Sequence, residues 1–378
     1  MGIKYFAALS AAILLHFGAL AQTPARWALV LPFQVQPDTS GGKVSQRMAL
    51  EFYAGFKAAL DSAAGADGGV VLDLYDFDEA TGAVVERELG GLSHSYSPKD
   101  FMELQGQRGV RFVVGPFRGQ DSEALARHAA PSTFVVNPVS RDVSVQNLPQ
   151  MMAAAPPRFT ESEALGRLAA RDAKARPNSR TVVFDLGDKN SALQRKAFYS
   201  GFAANGGDTT KIQSWDGRPT ANLAERVGRE DLIATRFVLL DDKVLSAARI
   251  LQGLRQRPAS QTELWTVSTT VNSPSLDAFL LLRQPIIWVQ TDRLEFAAYD
   301  AVDAQISQAL GESRSRWAWL GYDTALMLLA NEPDGFTGPR RRYEWSATPS
   351  SGLVNRAVEL YRYDPKVGVN PISLPALP

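Results

Sequence analysis

Two histidines and two aspartates are the side chains whose types suit metal binding or acid–base catalysis. His94 and His128 remain after the N-terminal segment, and neither belongs to an HExxH pattern or stands at ligand spacing from a carboxylate. Asp76 and Asp78 match the first and third positions of a calcium loop, but Ala80 occupies the next ligand position. We therefore expect a solvent-facing His128, two aspartates that end a strand and cap the following turn, and no metal or cofactor.

Nucleophiles and phosphate-binding loops are likewise missing from the sequence. The chain has no cysteine, which excludes a thiolate nucleophile, a disulfide framework and a lipidated N-terminal cysteine. The stretch GLSHS misses the second glycine of a nucleophile elbow, and GGKVS lacks the spacing of a phosphate-binding P-loop. Two carboxylates assembled from distant segments stay open as an alternative. Because no recognised catalytic spacing occurs, we expect a protein that is not an enzyme.

Charge balance and the N-terminus indicate an exported protein. The 378 residues carry 40 Lys and Arg against 40 Asp and Glu, so a broad nucleic-acid or anionic-membrane footprint is not expected. The basic run Arg340–Arg342 is expected to be a solvated loop. Lys4 precedes an apolar run, Tyr5–Ala21, which ends in Ala-Leu-Ala and is short for a membrane span. We expect residues 1–21 to be a signal peptide that is cleaved before Gln22, and no membrane span in the mature chain.

One further segment, FVVGPFRGQDS, stands out because an apolar run breaks into a polar loop. Gly115 and Pro116 end the run, and Arg118 follows closely. The pattern predicts a buried strand that opens into a loop at the edge of a sheet. What this loop holds depends on the elements around it.

Strand-type runs alternate with helix-type patterns along most of the chain. In the first half, Met48, Phe52, Phe56 and Leu60 recur at intervals of four and form one apolar helical face. The alternation restarts after residue 160, where Thr160 and Glu163 have capping-box spacing. Such alternation predicts two α/β units with mainly parallel sheets covered on both faces. We place the first lobe at 26–153 plus 292–335, and the second at 154–291 plus 336–378.

The order of several short segments resembles type I periplasmic binding proteins, in particular the Leu/Ile/Val-type solute receptors. The segments are WALVLPF, EFYAGFKAALD, VVLDLYDFD, FVVGPF, FVVNPVS, MMAAAPP, AAYDAVDAQISQAL and WLGYDTALMLLA. The resemblance implies two Rossmann-like lobes with mainly parallel sheets, joined by a multi-crossing hinge, that close on a small-molecule ligand. Clefts in such sheets form beyond the carboxyl ends of the strands.

The resemblance also locates a ligand site and shows where this chain departs from the receptors. In the amino-acid receptors, small hydroxyl residues and free amides after the third strand hold the ligand carboxylate. Here that loop offers Phe117 and Arg118 instead. Two accounts remain open: Arg118 binds the acidic group of the ligand as a bidentate donor, or it pairs with Asp121, Asp142 or Asp188 and locks the lobes. The predicted ligand-binding residues are Phe33, Phe117, Arg118, Gln120, Asn137, Ser140, Asp188 and Asp242.

Asp188 and Asp242 each allow two interpretations. They follow strand-type runs of the second lobe, where they either hold a ligand ammonium group or cap the next helix. The function that we expect is an exported solute-binding protein for a small polar or amino-acid-like ligand, serving an importer permease or a sensor. The alternative is a non-catalytic envelope regulator or scaffold that resembles the peptidoglycan synthase activators of the same fold.

Overall fold

Alternating strands and helices build two separate units in the computed structural model of the chain. One unit comprises the described parts of Met1–Pro157 and Leu294–Ala357, and the other those of Arg158–Arg293 and Val358–Pro378. The structure describes residues 24–33, 42–63, 69–87, 93–220, 222–229, 234–240, 243–257, 262–276, 283, 285–293, 303–304, 306–308, 315–330, 334–347 and 350–372. The predicted signal peptide lies outside the described residues, as does most of the segment AAYDAVDAQISQAL.

The first unit contains nine strands in one sheet. Its strands are β1 Arg26–Leu31, β2 Val71–Asp78, β3 Ala83–Arg87, β4 Ser93–Tyr96, β5 Val110–Val114, β6 Phe134–Asn137, β7 Met151–Ala153, β13 Trp345–Ser346 and β14 Leu353–Asn355. Their order is β13-β14-β7-β6-β5-β1-β2-β3-β4. The strands from β14 to β2 run parallel, and the strands at both edges are antiparallel. The carboxyl ends of the parallel strands therefore meet at one edge.

The second unit repeats this plan with seven strands. These are β8 Arg180–Asp185, β9 Ile212–Asp216, β10 Thr235–Leu239, β11 Thr262–Val267, β12 Ile286–Gln290, β15 Glu359–Asp364 and β16 Gly368–Ile372. Their order is β16-β15-β12-β11-β10-β8-β9, and β15 is antiparallel to both of its neighbours, β12 and β16. The remaining strands are parallel, as the alternation of strands and helices predicts.

Nine α-helices have bounds that the structure describes. They are α1 Gly42–Ala63, α2 Pro98–Gln107, α3 Gly119–Ala126, α4 Thr160–Ala175, α5 Lys189–Ala204, α6 Leu223–Arg229, α7 Val244–Leu254, α8 Ser268–Val271 and α9 Arg316–Leu329. Within this part of the chain, none of the helices is both long enough and apolar enough to cross a membrane.

Each sheet is covered by apolar side chains on both faces. In the first unit, Phe52 and Phe56 of α1 are fully buried beside Trp27 on one face, while Phe101 of α2 is buried on the other. Parallel strands that are covered on both faces have no solvent side, and this explains why β1 reads as a continuous apolar run. In the second unit, Phe198 of α5 belongs to the core on one face of the sheet, and a separate core fills the opposite face.

One helix pair in each unit packs through reciprocal glycines. A Cβ atom added at Gly55 of α1 would lie 1.7 Å from the Ala318 carbonyl oxygen, and one at Gly321 of α9 would lie 2.0 Å from the Phe52 carbonyl oxygen. Gly166 of α4 and Gly201 of α5 are equally crowded, at 2.1 and 2.0 Å from backbone oxygens. The backbones of both pairs approach too closely for any larger residue.

The structure departs from the sequence-based boundary near the C-terminus. Residues 336–357, which we expected in the second lobe, belong with the first unit. The reason is strand pairing: Leu353 of β14 lies beside Met152 of β7, and β13 then pairs with β14. These short strands of two and three residues give too little periodicity to be recognised from the sequence alone.

The predicted capping box at Thr160 does not form. Helix α4 begins at Thr160 itself, and the N-cap residue Phe159 makes no side-chain hydrogen bond. Glu163 pairs with Arg167 one turn later, at 2.5 Å, instead of reaching back to the cap. The Glu161 carboxylate accepts a hydrogen bond from the Ser268 hydroxyl at 2.9 Å. The threonine therefore sits one position too far into the helix for its hydroxyl to cap.

The basic run Arg340–Arg342 is not a solvated loop, because Arg341 is buried. Its amide donates to the Asp323 carboxylate at 2.6 Å, and the Arg340 amide donates to the same oxygen at 2.9 Å. The Arg341 guanidinium donates to the Pro138 carbonyl oxygen at 3.1 Å. Asp323 of α9 is completely buried, and this burial raises its pKa to about 7, although the two amides oppose the shift. A buried carboxyl group thus holds the segment in place.

Candidate functional site

The predicted site of the first unit lies where β5 and β6 end. Gly115, directly after β5, has a φ of +97°. A Cβ atom here would lie 2.1 Å from the Val30 carbonyl oxygen of β1. Only glycine satisfies both constraints, so the chain breaks here as the sequence predicts. A cis peptide bond joins Gly115 to Pro116.

The two aromatic residues predicted for the site pack inward. Phe117 is 7% exposed and belongs to the core of the first unit. Its ring meets Phe52 of α1 edge to face, with 5.5 Å between the ring centroids. Phe33, after β1, is partly buried and meets Tyr53 of α1 in the same way at 6.1 Å. The Phe117 ring is therefore used for packing and offers little surface to a ligand.

Asn137 is a structural clamp between two loops. It is fully buried at the end of β6. Its Nδ2 donates to the Pro116 carbonyl oxygen at 2.9 Å and to that of Phe117 at 3.1 Å, and to the Ser122 hydroxyl at 2.9 Å. Its Oδ1 accepts the Ser140 amide at 2.7 Å and the Val139 amide at 3.1 Å. The hydrogen-bonding capacity of Asn137 is thus used within the protein.

Ser140 and Gln120 flank this clamp. The Ser140 hydroxyl accepts the Asp142 amide at 3.2 Å. A Cβ atom at Gly119 would lie 3.1 Å from this hydroxyl and 2.7 Å from the Asp142 carbonyl oxygen, so the two loops touch here. Gln120, the second residue of α3, is exposed at the surface of the unit. Gln120 is therefore accessible, while Ser140 is partly engaged in its own loop.

Arg118 pairs with a carboxylate that was not among the partners expected from the sequence. Its Nε lies 3.4 Å from Glu79 Oε1, and the Arg118 and Glu79 side chains are 52% and 16% exposed. Asp121, in the first turn of α3, is a third member of this cluster. Burial raises the pKa of Asp121, the Arg118 charge lowers it, and the Glu79 charge raises it. The ion-pair partner of Arg118 is thus Glu79, which was not among the three expected aspartates, and Asp121 is a charged neighbour.

The position of Glu79 explains this pairing. Glu79 directly follows β2, which is parallel to β1, so it lies at the same edge as the loop after β5. The preceding Asp78 caps the turn: its Oδ1 accepts the Ala80 amide at 2.9 Å and its Oδ2 the Thr81 hydroxyl at 2.7 Å. Asp78 thus has the capping role that we expected, whereas Asp76 lies within β2 and pairs with Arg87 at 3.0 Å. Glu79 could have been recognised as a site residue because it is a carboxylate that directly follows a strand ending at the predicted edge.

The start of α3 adds backbone donors to this edge. The first amides of a helix have no acceptor within the helix, and Arg118 at the N-cap provides no side-chain hydrogen bond to them. The helix dipole places a partial positive charge at the same point. The Glu79, Arg118 and Asp121 cluster therefore combines cationic donors with carboxylates at one edge of the sheet.

In the second unit, Asp188 is both a cap and an ion-pair partner. It is the N-cap of α5 and accepts the Ser191 amide at 2.9 Å. Its carboxylate also forms an ion pair with Lys243. The ion pair with Lys243 and the Ser191 amide together hold the pKa of Asp188 below its ordinary value. Asp242 lies outside the described residues. Of the two interpretations, the capping role of Asp188 is present in the structure.

Within the described residues, no group of three or more His, Asp or Glu side chains is arranged to hold a metal ion. His128 is exposed after α3, as we expected from the sequence.

Known proteins resemble this chain in structure and not in sequence. The sequence matches no protein-family model and no curated protein. The C-domain of LpoA (YraM) from Haemophilus influenzae, a regulator of PBP1A, is 14% identical with a TM-score of 0.58, over 92% of this chain and 100% of that domain. Full-length LpoA from the same organism is 15% identical with a TM-score of 0.60, over 96% of this chain and 61% of LpoA.

A solved transport protein is equally similar. A putative branched-chain amino acid ABC transporter from Rhodospirillum rubrum is 14% identical with a TM-score of 0.58, over 89% of this chain and 97% of that one. Identities this low establish the fold alone. The two α/β units, each with a mostly parallel sheet, and these likenesses show that the chain has the type I periplasmic binding protein fold.

Proposed function

We propose that this protein is an exported solute-binding protein for a small amino-acid-like ligand, which it delivers to an importer permease or a sensor. The observation that carries the proposal is the cluster of Glu79, Arg118 and Asp121 at the start of α3. A zwitterionic ligand needs donors for its carboxylate and acceptors for its ammonium group, and this cluster offers both kinds within one edge of the sheet.

The roles of the three side chains follow from their exposure. Arg118 is half exposed, and its contact with Glu79 at 3.4 Å is loose for an ion pair. The ligand carboxylate would accept hydrogen bonds from this guanidinium and from the first amides of α3. Glu79 would exchange its contact with Arg118 for the ligand ammonium group, with Asp121 beside it. In this proposal the internal ion pair opens when the ligand binds.

A ligand screen with matched variants tests this proposal. Amino acids, short peptides and organic acids at millimolar concentration are added to the purified protein, and the melting temperature is measured. A compound at one hundred times its Kd stabilises the folded state by about 2.7 kcal/mol. In the Arg118→Ala variant this stabilisation should disappear.

Arg26→Ala is the control variant. Arg26 lies at the amino edge of the same sheet and pairs with Asp73 at 2.6 Å, with a side chain that is 37% exposed. This variant should keep the response to the ligand. If no compound raises the melting temperature, or if Arg118→Ala responds as the wild type does, the proposed site is wrong.

A non-catalytic envelope regulator is the second candidate function. It is favoured by the inward packing of Phe117 and the saturated hydrogen bonds of Asn137, since both leave fewer groups for a ligand. The likeness to the LpoA C-domain adds fold-level support. A pull-down from envelope extracts separates the two functions. Recovery of a cell-wall synthase favours the regulator, and recovery of an importer permease favours the solute-binding protein.

Export belongs to the same proposal. The apolar run Tyr5–Ala21 would direct the chain across the membrane, with cleavage before Gln22. N-terminal sequencing of the protein recovered from a periplasmic fraction tests this step. A mature chain that still begins with Met1 would contradict it.

A further inference from the structure

A charged cavity opens at the amino edge of the second sheet. Its volume is about 420 Å³, and it is lined by the first residues of β10 and β11 and by the end of β15. This edge is opposite to the one where Asp188 caps α5, because β8 runs from Arg180 toward Asp185. The cavity lies within the second unit and shares no residue with the site proposed above. Its volume falls within the range of about 300–1,000 Å³ that is typical of small-molecule sites.

A buried arginine forms the floor of this cavity. Arg236 is 1% exposed and forms an ion pair with Asp172 of α4. Its Nη1 also donates to the Thr181 hydroxyl at 2.8 Å, and its Nη2 donates to the Ser179 hydroxyl. Burial lowers the pKa of Arg236, and Asp172 opposes this effect. The guanidinium is therefore held rigidly at the base of the cavity.

Two more arginines share one carboxylate on the wall. Glu263 is the register neighbour of Arg236 on the adjacent strand β11. Its Oε2 accepts Arg176 Nη2 at 2.8 Å, and its Oε1 accepts Arg362 Nη2 at 2.7 Å. Arg176 and Arg362 are 41% and 49% exposed, so both guanidinium groups reach solvent through the cavity mouth. Within the described residues, Arg362 donates only this one hydrogen bond of the five that its fork provides.

The cavity carries more positive than negative charge. Five cationic side chains line it, namely Arg176, Arg236, Arg283, Arg362 and Lys366. Among the described residues they face three carboxylates, of which Glu263 and Asp364 line the cavity and Asp172 lies behind Arg236. The excess of two positive charges lies toward the cavity mouth, where Arg283, Arg362 and Lys366 are exposed.

We propose that this cavity binds a small dianion, whose oxygens accept hydrogen bonds from Arg176 and Arg362 above the fixed Arg236. A dianion matches the excess charge, and the planar fork of each arginine suits a carboxylate or a phosphate group. Phosphate compounds and dicarboxylates share this chemistry. The proposal does not rest on the amino-acid-like ligand of the first unit.

Isothermal titration with two simple dianions tests the proposal. Inorganic phosphate and succinate are titrated separately into the full chain in a buffer of low chloride content. We expect at least one of them to bind at one site per chain, with a Kd at or below about 1 mM. Tighter binding of phosphate would identify a tetrahedral oxyanion as the ligand group, and tighter binding of succinate a dicarboxylate.

The Arg362→Gln variant locates the site. Because Arg362 is half exposed at the cavity mouth, its loss should leave the fold intact and weaken binding about tenfold or more, as expected for a charge-assisted hydrogen bond. Arg218→Gln is the matched control. Arg218 is 66% exposed and pairs with Asp216 at 2.7 Å, at the carboxyl end of β9. This variant should bind as the wild type does.

Three results would overturn the proposal. The first is no binding of either dianion to the wild type at about 10 mM, and the second is equal weakening in Arg362→Gln and Arg218→Gln. The third is loss of binding in Arg118→Ala, which would move the dianion to the first unit. Binding that is lost in Arg362→Gln and kept in Arg118→Ala supports the cavity whatever the outcome of the amino-acid screen.

Discussion

Replacing Asp323 with asparagine is expected to remove a pH dependence of folding that this one buried carboxyl group creates. Asp323 has a pKa of about 7 in the folded protein, compared with an ordinary value of 3.8, because burial disfavours the carboxylate. The folded state therefore holds the Asp323 proton more tightly than the unfolded chain does. Stability consequently falls as the pH rises from about 4 to about 7, and the loss is complete above that range.

The magnitude follows from the two pKa values. Ionising the group in the folded protein costs about 4 kcal/mol at high pH relative to the unfolded chain, and about 2–3 kcal/mol of this cost appears between pH 5 and pH 8. Asparagine keeps an oxygen for the amides of Arg340 and Arg341 but cannot ionise. The Asp323→Asn variant should therefore gain about 2–3 kcal/mol relative to the wild type over that pH interval, or roughly 5–10 °C in melting temperature.

Thermal unfolding followed by far-UV circular dichroism at several pH values measures this effect. Asp61→Asn is the control, since Asp61 is 62% exposed and pairs with Lys57 one turn away. This control should follow the pH profile of the wild type. Parallel profiles of Asp323→Asn and the wild type from pH 5 to pH 8 would refute the reasoning, because they would mean that Asp323 is already ionised at pH 5.

Three other substitutions test the scaffold around the two sites. Asn137→Ala should lower the free energy of unfolding of the first unit by about 2–4 kcal/mol because buried groups lose their partners. The control Asn370→Ala, at an exposed position, should change the free energy of unfolding by no more than about 0.5 kcal/mol. Similar urea midpoints for the two variants would disprove the structural role of Asn137. Asp188→Ala should lose about 1 kcal/mol of helix capping. The lowered pKa of Asp188 makes this loss present at neutral pH and absent once the pH falls well below 3.8, so a loss that persists at low pH would contradict the assignment. Gly115→Ala should lower the free energy of unfolding by more than about 3 kcal/mol, because the backbone is strained and the new Cβ atom clashes with the backbone of β1. Gly69→Ala is the comparison in the same melting assay, because the space around Gly69 is open.

The local pattern of the chain was sufficient for the order of the main elements. Buried parallel strands require continuous apolar runs, and these runs are visible in β1, β5, β8 and β12. The short strands β7, β13 and β14 were missed because two or three residues carry no period. The break at Gly115 was also predictable, since a glycine followed by a proline cannot continue a strand.

Partners in the site were not predictable, because they depend on which strands become neighbours. Arg118 meets Glu79 because β5 and β2 both flank β1, and no local signal links two residues so far apart in sequence. The sequence places Phe117 after a strand end, but only the position of α1 decides that its ring packs against Phe52. Arg341 is buried for a similar reason, because Asp323 of α9 binds its amide.

The sequence by itself determined the fold class and the edge of the sheet where polar residues gather, because apolar periodicity and strand-end breaks are local properties. The tertiary structure alone decided which charges face one another. Glu263 joins Arg176 and Arg362 from three distant segments, and the excess positive charge of that cavity exists only after the strands have taken their order. Charge pairing depends on distances in space of a few ångströms, and the linear order of residues does not contain those distances.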